Sequence, residues 1–144
     1  LKEVFIAIGY SMGIMLVPFS NSQVWPMEWS ILSGYLFLTA LINVFVIGSF
    51  EKKDDLLLGE KSLIYFIHPV WLKRSCIVLS IAAMILAILL MKDQVVILAL
   101  IILPLLLLLP LFFRESFVKQ NLYRLWEDGM LMLPVPFLIF DSFL

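Results

Sequence analysis

The chain has 144 residues, of which 63% are hydrophobic and 15% charged, with a net charge of −1. Its mean hydropathy of +1.09 lies far above that of a soluble domain, whose apolar share is about 45–50%. These values exclude an ordinary soluble globular domain and point to an all-α, polytopic membrane bundle. One cysteine, Cys76, excludes an internal disulfide.

Five spans are predicted in chain order: Val4–Phe19, Ile31–Phe50, Ser75–Met91, Val95–Phe113 and Met130–Leu144. The first and last are short for a hydrocarbon core about 30 Å thick. The first apolar run lacks a basic leader and a small-residue cleavage site, so no signal peptide is expected. The chain starts at Leu1 rather than Met, as expected of a fragment or excised domain. Gly9 and Gly13, four apart in the first span, predict close helix packing. The outer loop 20–28 has no Lys or Arg, and Trp25 and Trp29 are placed as interfacial anchors.

The second span ends in Glu51, Lys52, Lys53, Asp54 and Asp55, followed by Gly59, Glu60, Lys61 and Ser62. Ionisable residues where a span leaves the bilayer are costly and mark candidate sites. Glu51 and Asp55, four apart, share a helix face. Both also sit where the helix dipole disfavours anions, so a compensating cation is expected. Lys52 and Lys53 supply part of it, and a divalent cation would do it better. Magnesium takes oxygen ligands and is commonly held by one or two carboxylates plus substrate phosphates. Lys61, past a glycine, is placed to reach the same phosphates as a point charge. Asn43, two turns before Glu51, is placed to line the same cavity as a substrate contact, or to make a helix-packing hydrogen bond. A solvated face is the alternative for the whole charged run.

The segment 63–72, with Tyr65, Phe66, His68 and Trp71, reads as an interfacial helix or lid over the acidic cluster, broken at Pro69. His68 is expected to be satisfied locally, and Cys76 to be a buried small side chain. Pro104 and Pro110 should kink the fourth span, and Pro134 and Pro136 lie in the fifth. Segment 114–129, with Phe117, Leu122, Leu125 and Trp126 among charges, reads as amphipathic and interfacial. Arg124 and Asp128, at i and i+4, form a candidate ion pair.

Of the ten Lys and Arg, nine (Lys2, Lys52, Lys53, Lys61, Lys73, Arg74, Arg114, Lys119 and Arg124) fall on one side of this layout, and Lys92 alone on the other. The positive-inside rule then puts the acidic cluster in the cytoplasm and the C-terminus outside, in the plasma (inner) membrane.

Glu51, Asp55, Gly59, Lys61 and Ser62, at this spacing, resemble the second aspartate-rich motif of the UbiA superfamily of intramembrane prenyltransferases. Lys2 and Glu3 through Gly9, Gly13 and Pro18 look like the start of that family's fifth helix. Tyr123, Arg124 and Asp128 look like the approach to its ninth. The whole chain, residues 1–144, would then be the C-terminal half of a nine-helix fold. The resemblance implies a Mg²⁺-dependent transferase that moves an isoprenyl group from an isoprenyl diphosphate to an aromatic or lipidic acceptor within the bilayer. Glu51 and Asp55 would hold Mg²⁺-diphosphate, and Lys61 would assist. Glu51 stands where the family has Asp, and the family's first aspartate motif lies in the N-terminal half. The chain is therefore expected to be incomplete on its own and to need that half as a partner. A catalytically degenerate scaffold or lipid binder is the alternative. A transporter segment with a cation site ranks last, because the third and fourth spans carry no mid-span charge. No nucleic-acid partner is expected.

Overall fold

The computed structural model describes residues 2–21, 26–58, 63–90, 94–118 and 122–132. Every described element is helical: α1 (Lys2–Asn21), α2 (Met27–Leu58), a 3-10 turn (Leu63–Tyr65), α3 (Pro69–Leu89), α4 (Gln94–Phe112), α5 (Arg114–Val118) and α6 (Leu122–Met132).

The long helix α2 is the axis of the bundle and packs against α1, α3, α4, α6 and the 3-10 turn. It extends well past the expected span of Ile31–Phe50, so the acidic run continues the helix. Glu, Lys and Leu are good helix formers, and no glycine intervenes before Gly59.

Helix α3 begins at Pro69, six residues before the expected Ser75. Proline is pre-organised for the first helical position, where its missing N–H is an orphan anyway. His68 caps this helix: its Nδ1 accepts the Val70 amide at 3.3 Å, which meets the expectation of a locally satisfied ring. The proposed lid over 63–72 therefore does not form as one helix. It divides into the 3-10 turn, with Ile64 buried against α2, and the first turn of α3.

The inward face of α3 carries Leu72, Cys76, Ser80, Ala83 and Ala87, all buried. Its outward face carries Val78, Ile81, Ile85 and Ile88, all exposed. Large apolar side chains outside and small ones inside invert the pattern of a soluble helix and match close helix packing in lipid. Cys76 is fully buried, as expected. Two helical stretches are long and apolar enough to cross a membrane, Met27–Lys52 and Pro69–Leu89, each with mean hydropathy 2.1. A shorter apolar run occupies Ile97–Phe112. Of the fifth expected span, residues 133–144 lie outside the described residues.

Helix α4 runs through both prolines. A proline cannot donate to the carbonyl four residues back, so Pro104 frees the Leu100 oxygen and Pro110 frees that of Leu106. Both freed acceptors are filled by aromatic donors from other helices. The Tyr35 hydroxyl of α2 donates to Leu100 O at 2.8 Å, and Trp126 Nε1 of α6 donates to Leu106 O at 3.0 Å. Ser80 of α3 donates to the Pro104 carbonyl itself at 3.2 Å.

Gly9 and Gly13 do not mark a tight crossing. A Cβ at either position would meet nothing within 4 Å. The close approaches lie on α2 instead: a Cβ at Gly34 would meet Leu86 at 3.3 Å, and one at Gly48 would run into the Ile64 side chain.

Candidate functional site

A cavity of about 540 Å³ opens along one face of α2, between α1, the 3-10 turn and α6. The α2 wall is a stripe at helical spacing: Ala40, Asn43, Val44, Ile47, Gly48 and Glu51. Residues three and four apart share a face, so one stretch of sequence presents a polar amide at one end, a carboxylate at the other and apolar rows between. Helix α1 contributes Lys2, Glu3, Ile6 and Tyr10, and α6 contributes Asp128, Leu131 and Met132. Among the described residues the lining carries the carboxyl groups of Glu3, Glu51 and Asp128, the Lys2 ammonium and the Tyr10 hydroxyl.

Glu51 lies in this wall, as the sequence reading placed it, but it is engaged. Arg124 Nε donates to its Oε1 at 2.6 Å, with the glutamate side chain 19% exposed and the arginine 59%. This corrects the expected pairing of Arg124 with Asp128: Arg124 crosses to α2, while Asp128 lines the cavity. The hydrogen bond to Glu51 is the main reason the guanidinium is held even more firmly protonated than usual. Beside it, Phe50 and Tyr123 stack at 4.6 Å with their rings 7° apart. Arg114 Nη2 donates to Ser49 O at 3.0 Å. Together these contacts hold α6 and the start of α5 against the end of α2.

Lys52 does not turn to the carboxylates it was expected to compensate. Its Nζ donates to Ile64 O at 3.2 Å, and the Tyr65 hydroxyl donates to Lys52 O at 3.0 Å, so this lysine pins the 3-10 turn. Helix α2 runs through position 55, but the Asp55 side chain and the whole of Lys61 lie outside the described residues.

Asn43 lines the cavity as expected and is only 4% exposed. Its Oδ1 is buried with no hydrogen-bond partner. Neighbouring polar side chains on the same helix behave differently. Thr39 donates to Tyr35 O and Leu36 O at 3.1 and 3.0 Å, and Ser49 donates to Val46 O at 2.7 Å.

Sequence reasoning missed Glu127. It is fully buried on α6, and neither carboxylate oxygen has a hydrogen-bond partner. Burial, helped by the charge of Asp128, pushes its carboxyl up to about 9. A carboxyl buried in this way enters the interior as the neutral acid. The sequence signal was the position of Glu127 four residues after Tyr123, which puts both on the inward face of an amphipathic helix.

Among the described residues, no three His, Cys, Asp or Glu side chains form a group able to hold a metal on their own. Carboxylates remain the right donors for a hard cation, and magnesium needs only one or two of them when phosphates complete its shell. Of the two carboxylates expected to hold a metal, the described side chains include that of Glu51, which Arg124 already engages. No protein-family model, no curated protein and no solved structure matches this chain.

Proposed function

We propose that this chain is the C-terminal half of a UbiA-like intramembrane prenyltransferase. In this reading five spans cross the bilayer, with Glu51 at the cytoplasmic mouth. The observation that carries it is the α2 stripe: a carboxylate at one end of a cavity, followed on the same helix by the apolar side of Gly48, Ile47 and Val44. Such a wall holds an isoprenyl chain and keeps water from a carbocation. A dry wall around a reactive centre also strengthens every charge interaction at its mouth.

In this reading Glu51 and Asp55 would hold a magnesium-bound diphosphate, and Lys61 would add positive charge. The metal supplies neutralisation of the charge that develops on the leaving diphosphate. Arg124 occupies Glu51 Oε1, so it would have to release that oxygen for a metal, and its guanidinium would then be free to pair with phosphate oxygens. Binding of an isoprenyl diphosphate should require Mg²⁺ and be lost in both Glu51→Ala and Asp55→Ala. Titration of a labelled diphosphate with and without EDTA measures this, and binding that survives both substitutions would end the proposal.

The Arg124–Glu51 contact favours a second reading, in which the cavity takes a lipid without catalysis. There the ion pair is a permanent latch. Lipid binding indifferent to both Mg²⁺ and Glu51→Gln would select it.

A further inference from the structure

The unpartnered oxygen of Asn43 carries an inference about what the inner end of the cavity binds. An amide in a helix facing an apolar bundle ordinarily finds a partner, because a buried acceptor left unmade is expensive. Thr39 and Ser49, on the same helix, do so through their own backbone. Asn43 Oδ1 does not, and Asn43 is the polar residue of the α2 stripe farthest from Glu51. The two lie eight residues apart, about 12 Å along the helix at 1.5 Å per residue. Val44 and Ile47 separate them. The last side-chain torsion of asparagine is soft, so the amide oxygen turns towards a donor in the cavity without moving the backbone.

We propose that this cavity selects an amphiphile bearing an O–H or N–H donor deep in its apolar part, about 12 Å from the polar end that meets the mouth, with the Asn43 amide oxygen as acceptor. A ligand with a purely hydrocarbon inner end leaves that oxygen unmade. A ligand with an ether or ketone there accepts from the Asn43 amide N–H at most and still leaves that oxygen unmade. The inference rests on the reading of this cavity as the ligand site, and on neither magnesium nor diphosphate.

The test uses the full chain in lipid nanodiscs and a matched pair of probes: a long-chain α,ω-amino alcohol and its methyl ether. The ammonium of each is drawn to the carboxylates at the mouth without a metal, and uptake by empty nanodiscs is subtracted. The alcohol should bind about tenfold more tightly than the ether, as expected for one buried hydrogen bond whose loss strands an acceptor. Asn43→Leu, of similar volume, should make the two probes equal, and Asn43→Asp, which keeps an acceptor, should retain the preference. Equal binding of the pair by the unaltered protein overturns the proposal, as does no binding of either, or a preference that persists in Asn43→Leu. The first of these outcomes is readable even if a variant fails to fold. Loss of Mg²⁺-dependent diphosphate binding with the alcohol preference intact would remove the transferase reading and leave this inference standing.

Discussion

Glu127 sits where a carboxylate would be least welcome. Its side chain is fully enclosed, and both oxygens lack a partner. Its carboxyl is raised from 4.5 to about 9, first by burial and then by Asp128. Between those two values the unfolded chain has lost the proton and the folded chain keeps it. Stability must therefore fall as pH rises through this window, by roughly 1.4 kcal/mol per pH unit, and level off above the folded value. The contribution is complete only below the unfolded value. Glu127→Gln removes the slope and stabilises the protein at neutral pH. Thermal unfolding in detergent across pH 5–9 checks this, and equal slopes in the two proteins would contradict it. The spacing from Tyr123 marks the face of this residue but not its enclosure, because α6 packs against α2 and α4, which lie far away along the chain. By contrast Glu51 was legible: a carboxylate ending an apolar run is conspicuous whatever it packs against.

At the level of elements, α4 shows how two helix breakers are absorbed. Each proline opens one carbonyl, and an aromatic donor from another helix closes it. Tyr35→Phe should cost about 1–3 kcal/mol, since it strands the Leu100 oxygen in the interior. In a Pro104→Ala background the alanine amide reclaims that oxygen, so the penalty of Tyr35→Phe should largely vanish. A double-mutant cycle by denaturant unfolding reads the coupling directly, and additive effects would refute the pairing. The sequence announced both prolines and their helix, but the donors sit on helices whose rotation only packing decides. Helix ends were misread for a related reason. Pro69 breaks a helix when it lies inside one and starts a helix when it lies at the edge, and the choice is made by His68 closing the cap. The charged run after Phe50 was expected to share a helix face, and α2 does carry it onward to Leu58. The glycine pair in α1 suggested a close crossing, but the crossing partner, α2, approaches other helices at Gly34 and Gly48 instead.

For the molecule as a whole, the outward apolar face of α3 and its small inward face fit a lipid surround. The uneven distribution of Lys and Arg sets the sidedness in the proposed five-span arrangement. With Cys76→Ala as background, a cysteine placed at Ser116 should react with a membrane-impermeant maleimide only from the cytoplasmic side. One at Lys92 should react only from outside. Labelling of both from one side would overturn the arrangement. The apolar runs of the second and third expected spans were readable in advance as the two stretches long enough to cross a membrane, Met27–Lys52 and Pro69–Leu89. The cavity was less so: its floor is one stripe of α2, but its depth depends on how α1 and α6 lean against that stripe. The two prolines of α4 bear on descent as well as on packing. Each proline and its aromatic partner lie on separate helices, yet either loses its purpose without the other. Among descendants of this chain, position 104 and position 35 should therefore drift as a couple, as should 110 and 126, leaving a record of helix contact in inheritance alone.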